Sequence, residues 1–162
     1  QFKVILCFEF PTEKIQINGE DKPMMTSHFL NAYLGSTSKP AKTNLFLTSW
    51  RGRPFTEQEL AGFDLSKVVG APCLLNIVHT EKDGKVRETI ASISPVPKGM
   101  EVPPQFNKSV VYEIEDGRSE TFQALPEWMR KMIEGCQEWT HPAVLESEPA
   151  DEPPTADDSV PF

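Results

Sequence analysis

The chain changes character at Pro142. Upstream of it, apolar residues recur at strand and helix spacings. Downstream, the twenty residues Ala143 to Phe162 hold Glu146, Glu148, Asp151, Glu152, Asp157 and Asp158, no Lys or Arg, and little that could be buried. A segment of that composition cannot offset the entropy of ordering its own backbone and is expected to stay disordered. The core must therefore come from residues before the boundary. It must come mostly from the first two-thirds, because nine of the fifteen prolines follow Pro95. The expected organisation is one domain over residues 1–140 and an acidic tail over residues 141–162.

The same boundary decides how the charge is read. The formal net charge is -8 and the pI near 4.9, values that would argue against a polyanionic ligand. With the six tail acids set aside, residues 1–142 carry 16 basic against 18 acidic side chains. A phosphate backbone meets a local field and not a whole-chain average, so nucleic-acid binding stays open. No apolar run of 18 residues occurs, which leaves no expected membrane span. No basic segment followed by an apolar stretch opens the chain, so no secretion signal is expected. Cys7, Cys73 and Cys136 are odd in number and form no CxxC pair, a pattern of reduced, buried thiols in a cytoplasm. Residue 1 is Gln and apolar alternation starts at Phe2, which suggests that a natural beginning is missing.

Phe2 to Phe10 alternates with Phe2, Val4, Leu6, Phe8 and Phe10 on one face, a core-facing strand that Pro11 is expected to end. A polar turn follows at Asn18-Gly19. Met24 to Leu34 reads as a second, long strand with Met25, Phe29 and Tyr33 on one face and Met24, Leu30 and Leu34 on the other. Leu45, Phe46, Ser49 and Trp50 fall at helical spacing, and Gly52 stops that helix. Phe55-Thr56-Glu57-Gln58-Glu59-Leu60 carries the sharpest local signal. Thr56 and Glu59 form a capping box and Phe55 with Leu60 a hydrophobic staple, so a brief helix starts at Glu57. Pro72 to Thr80 and Lys85 to Ser94 read as strands joined by an Asp83-Gly84 hairpin turn. Val110 to Ile114 reads as an edge strand. Beyond Pro126, Trp128, Met132, Cys136 and Trp139 form one apolar helical stripe expected to dock on the domain.

This order leads to a mainly β OB-fold, a five-stranded Greek-key barrel with short helices between its third and fourth strands and a helix near the C-terminus, its first strand expected to be absent. His28, His79 and His141 are far apart, and no HExxH, GxSxG or GxxxxGK[ST] motif occurs. Nothing in the sequence calls for catalysis, a metal or another cofactor.

Two features point to function. The end of the chain, Asp157-Asp158-Ser159-Val160-Pro161-Phe162, resembles the acidic tip of bacterial single-stranded DNA-binding proteins. Its physics is that of a docking plug: Phe162 enters an apolar pocket, its carboxylate pairs with a cation beside it, and Asp157 and Asp158 add long-range attraction. Val160 and Pro161 complete it, Pro161 by limiting the freedom that binding must freeze. The second feature is the block Ser49-Trp50-Arg51-Gly52-Arg53-Pro54-Phe55-Thr56 with Glu59-Leu60, Gly62-Phe63-Asp64-Leu65, Gly70-Ala71-Pro72-Cys73 and Pro97-Lys98-Gly99-Met100. In that order these blocks resemble a phage family of OB-fold single-stranded DNA-binding proteins from replication and recombination modules, over roughly residues 2–140. In that family about one more strand precedes the matching region.

The resemblance implies non-sequence-specific binding of single-stranded DNA in the cytoplasm of a bacterial host. It also implies a partner captured by the tip, such as an annealing protein, nuclease, helicase or primase. A homo-oligomer is compatible with it. Such binding needs cations along a groove and aromatic faces on which bases stack. Lys39, Lys42, Arg51, Arg53, Lys82, Lys85 and Arg87 are the candidate cations, and Phe29, Tyr33 and Trp50 the candidate stacking rings; a structural ion pair is an equal reading for Arg51 and Arg53, and Trp50 is the weakest ring, since a Trp on a short helix is more often core. The acidic tail is expected to compete with DNA for the empty groove. The alternative is an OB-like protein–protein adaptor that does not bind DNA, favoured by the weak basicity of residues 1–142.

Overall fold

The structure is a computed structural model that describes residues 2–140. The tail expected over residues 141–162, with its tip residues Asp157, Asp158, Val160, Pro161 and Phe162, lies outside the described residues. Contacts divide the chain into two compact units, one ending at Ser109 and one beginning at Val110.

The first unit is mainly β. Strand β1 (Lys3–Ile17) pairs antiparallel with β2 (Glu20–Asn31), and β3 (Leu74–Lys82) pairs antiparallel with β4 (Lys85–Ser94). Each pair is a separate two-stranded sheet, and among the described residues no strand joins them into a closed barrel. Both hairpins close through two residues at positive φ, Asn18 (53°) and Gly19 (82°) in one, Asp83 (53°) and Gly84 (69°) in the other. Two central residues of that sign match the right-handed twist of the flanking strands.

Strand β1 does not stop at Pro11. The register shifts between Phe10, opposite Met24, and Lys14, opposite Pro23. Pro11, Thr12 and Glu13 form a bulge there, which tolerates a residue without an N–H, and pairing then resumes to Ile17. At the other end, β2 stops at Asn31 opposite Lys3, and Ala32 donates its N–H to the Phe2 carbonyl (3.0 Å). Tyr33 therefore lies beyond the strand that was expected to carry it.

Helix α1 (Lys42–Arg51) is the centre of the packing. Its inward positions are Thr43, Leu47 and Trp50, four and three residues apart, while Leu45 is exposed. Leu47 and Trp50 form the core with Phe8 of β1, Ile93 of β4 and Phe55. Phe8 and Trp50 meet with ring centroids 5.6 Å apart. Phe2, expected on the same buried face as Phe8, is 66% exposed. A second bulge serves this core. Leu75 faces Ile93 and Ile77 faces Ile90, so one extra residue on β4 brings positions three apart onto one face. Helix α2 (Glu57–Ala61) starts as expected: the Thr56 hydroxyl accepts from the Glu59 N–H (3.2 Å), and the Glu59 carboxylate accepts from the Thr56 N–H (2.9 Å).

The second unit gathers around Phe122, on helix α3 (Glu120–Ala124), which stacks on Trp139 with centroids 4.8 Å apart. Tyr112, Ile114, Leu125, Ile133 and Cys136 pack around this pair. Burial, with Asp116 next, pushes the Tyr112 phenol up to about 12, and its hydroxyl donates to the Gly117 carbonyl (2.9 Å). Two expectations change here. Val110 to Ile114 forms no strand; Val110 and Val111 are exposed, and Ile114 opens a 3-10 turn. The stripe from Trp128 to Trp139 is not one helix, because α4 (Glu127–Glu134) ends at Gly135. Trp139 turns inward while Trp128 and Met132 stay 44% and 43% exposed. All three cysteines are free thiols, and Cys7 is exposed where a buried residue was expected.

The loop between β2 and α1 depends on Gly35. Its φ is +75°, and a Cβ there would lie 2.4 Å from the Lys39 carbonyl oxygen and 2.6 Å from the Ala41 nitrogen. Gly35→Ala should cost about 1–3 kcal/mol from backbone strain alone, with the clash added. Thermal denaturation should show a clear fall in Tm; an unchanged Tm would mean that this tight closure is absent in solution.

Candidate nucleic-acid interface

The β3–β4 hairpin sorts its charges by strand register. Successive side chains on a strand point to opposite faces. The observed pairing therefore puts Leu74, Asn76, Val78, Thr80 and Lys82 of β3 on one face with Lys85, Arg87 and Thr89 of β4. The opposite face carries Leu75, Ile77, His79, Glu81, Val86, Glu88 and Ile90. The first face thus holds three cations and no acid, and the second holds both strand carboxylates. His79 and Glu88 pair across the second face at 3.7 Å. Lys82, Lys85 and Arg87 are exposed and make no ion pair among the described residues. All three were expected at this interface, and the register brings them together.

A second set lies where β2 meets α1. Phe29, 49% exposed on the outer face of the first hairpin opposite Ile5, borders a cavity of about 260 Å³ together with Lys42. Lys3, His28, Asn31 and Phe46 line the same cavity and were not singled out from the sequence. Their signal was available: Phe46 precedes inward Leu47 on α1, and His28 alternates with Leu30 toward the core. His28 stacks on Phe46 with centroids 4.5 Å apart, and burial lowers its pKa, keeping the imidazole neutral near pH 7. The Thr43 hydroxyl donates to the Asn31 carbonyl (2.6 Å), fixing the start of α1 to the end of β2. Tyr33 is 66% exposed in the following segment. Lys39 sits in the turn that the Gly35–Pro40 bridge closes, its own N–H donating to the Ser36 hydroxyl (3.0 Å).

Three expected contacts are engaged elsewhere. Trp50 is buried in the core, and its indole N–H donates to the Pro72 carbonyl (3.1 Å), so its faces are closed to a base. Arg51 and Arg53 converge on Glu59, with their Nη2 atoms 2.7 and 2.8 Å from its Oε1. Arg51 also lies over the Phe55 ring, 4.2 Å from its centroid. One carboxylate thus holds two guanidinium groups and caps α2, a structural clasp where DNA contacts were expected. A second clasp went unseen in the sequence. Glu9 on β1 accepts the N–H groups of Phe106 (2.6 Å) and Asn107 (2.9 Å). Burial pushes the Glu9 pKa up, but these hydrogen bonds and Lys14 outweigh it and hold the carboxyl below its ordinary range.

Among the described residues, no helix is long and apolar enough to cross a membrane. Comparison of the chain with protein-family models, with curated proteins and with solved structures found no match.

The clasp has a pH signature. The hydrogen bond from Arg51, then those from Thr56 and Arg53, hold the Glu59 carboxyl down at about 2, against an ordinary value near 4.5. A depressed carboxyl stabilises the fold above its unfolded pKa, and that contribution is lost as pH falls through the folded value. Glu59→Gln should therefore lower stability at neutral pH, with the gap to the parent protein closing between about pH 4.5 and pH 2. Parallel denaturant titrations across that range would disprove the clasp if the gap stayed constant.

Proposed function

We propose that this chain binds single-stranded DNA without sequence preference, as a member of the OB-fold class, and recruits partner proteins through its acidic end. The observation that carries this reading is the acid-free face of the β3–β4 hairpin, where Lys82, Lys85 and Arg87 project together without counter-charges. A row of unpaired cations on a twisted ribbon suits a phosphate backbone, which releases condensed counterions when neutralised. Exposed Phe29 and Tyr33, with Lys39 and Lys42 nearby in sequence, supply the stacking faces that sequence-tolerant binding uses. A helix between two antiparallel hairpins is the order expected of the later OB strands, and it agrees with the resemblance to the phage family. Within that reading, Asp157, Asp158, Val160, Pro161 and Phe162 dock on an annealing protein, nuclease, helicase or primase of a replication or recombination module in a bacterial cytoplasm.

A protein–protein adaptor is the second reading. Exposed Trp128 and Met132, one helical turn apart on α4, favour it.

Fluorescence anisotropy with a labelled oligo-dT separates the two. DNA binding predicts saturable affinity that weakens as salt is raised. Converting Lys82, Lys85 and Arg87 together to Gln should reduce the slope of log K against log salt by about 2, since each phosphate left unneutralised removes roughly 0.7. Phe29→Ala should cost about 1–3 kcal/mol of binding with the slope unchanged. Absence of binding at low salt would leave the adaptor.

A further inference from the structure

The second unit contains a cleft of about 390 Å³ between α4 and the segment around α3, and none of its lining residues is among those assigned to DNA above. Arg118, Arg130 and Lys131 line it together with Glu127, Glu134 and Phe122. The two acids are committed. Glu127 pairs with Lys131 at 2.6 Å, and Glu134 reaches Arg118 at 3.7 Å. Arg130 is left over. Among the described residues its side chain makes no hydrogen bond or ion pair, and its Nε–H is buried without an acceptor. The Arg130 charge is thus uncompensated in a cleft whose two acids are both taken, which favours an anionic partner for its guanidinium group.

The chain itself carries the matching group. Trp139 stacks on the cleft wall Phe122, and Arg118 lies over the Trp139 ring, 5.9 Å from its centroid. Trp139, one residue before the last described position, thus packs beside this cleft. Six acids and no Lys or Arg follow within residues 143–162. Asp157 is 17 residues beyond Thr140; a chain of that length spans roughly 20–25 Å, which covers the cleft at a millimolar effective concentration.

We propose that the Arg118–Arg130–Lys131 cleft is a carboxylate-binding site whose occupant is the chain's own acidic segment, residues 143–162. A carboxylate pairs with the Arg130 guanidinium and competes with Glu134 for Arg118. Held there, the segment is withdrawn both from partner proteins and from any cationic surface of the first unit. Partner capture is then a contest between this cleft and the partner. The proposal does not rest on the DNA reading: a peptide titration reports the cleft, and the oligo-dT titration reports the hairpin.

The test uses full-length protein and a labelled peptide of residues 143–162. In one variant the six tail acids become amides: Glu146→Gln, Glu148→Gln, Asp151→Asn, Glu152→Gln, Asp157→Asn and Asp158→Asn. That variant should bind the peptide saturably and less well at high salt. The parent protein should bind it about tenfold more weakly, since its own segment fills the cleft first. Adding Arg130→Gln to the amide variant should weaken binding about tenfold or more, the cost of losing a charge-assisted hydrogen bond. Arg118→Gln, at an exposed position, should act in the same direction if the Arg130 variant proves poorly folded by circular dichroism. No binding by the amide variant, or equal binding after either arginine is changed in a folded protein, would overturn the proposal.

Discussion

The inward face of α1 is the constraint on which the first unit depends. Leu47 and Trp50 present one apolar stripe, and both hairpins place residues on it, Phe8 from one and Ile93 from the other. A two-stranded hairpin alone is marginal in water, since it has too little surface to bury. Each hairpin here is held because the helix covers one of its faces. That arrangement fixes which residues remain outside. With Phe8 and Leu30 turned inward, alternation leaves Phe29 and Met25 on the solvent side of the first hairpin, and with Ile93 inward it leaves Lys82, Lys85 and Arg87 on the free face of the second. The cationic face is thus a by-product of register, set by hydrophobic burial on the other side.

The bulges make that register workable. Without the extra residue that β4 carries between Ile90 and Ser92, opposite the Asn76–Ile77 step, Ile90 and Ile93 would point to opposite faces. The hairpin would then have to expose one of them. The bulge in β1 serves a different end. It absorbs Pro11 and lets pairing resume opposite Pro23, so that two residues lacking an N–H sit where the ladder is already interrupted.

The parts legible from the sequence are those satisfied within a few residues. Asn18-Gly19 and Asp83-Gly84 choose their turns locally, and the Thr56–Glu59 box closes within one helical turn. The strand order and α1 were equally readable, since each rests on a clear period. What failed depended on partners far along the chain. Pro11 looked like a terminator because the bulge opposite Met24 is a property of the pair. Val110 to Ile114 has strand composition but, among the described residues, no neighbour to complete a ladder. The four-residue spacing from Trp128 to Cys136 predicted a longer helix, yet Gly135 ended it, and the Phe122 ring took Trp139 instead of Trp128. For the interface, the exposure of Phe29 and the grouping of the hairpin cations followed from alternation, whereas Tyr33 is exposed beyond the end of β2. Core burial of Trp50 and ion pairing of Arg51 and Arg53 stood as alternatives in the sequence, and the partners that decided them, the Pro72 carbonyl and Glu59, were not legible there.

Those engaged arginines sharpen the electrostatic argument. A cation attracts a polyanion only with the charge its neighbours leave uncompensated. Arg51 and Arg53 share one carboxylate, and Lys22 is paired with Glu20 at 3.2 Å. Simple counting of basic residues in the first unit overstates what a phosphate chain would meet there. Counting by strand face understates nothing: the face of β3–β4 with Lys82, Lys85 and Arg87 carries its charge undiluted, because its acids were placed on the other side by the same alternation that turns half-buried Ile77 and Ile90 there. A chain of net charge -8 can present a positive surface in this way without any excess of basic residues. The price is a dependence on register: a one-residue slip of β4 would move Lys85 and Arg87 to the core side and turn Ile90 and Ile93 to solvent, so the burial that stabilises the fold also guards the polarity of its surface.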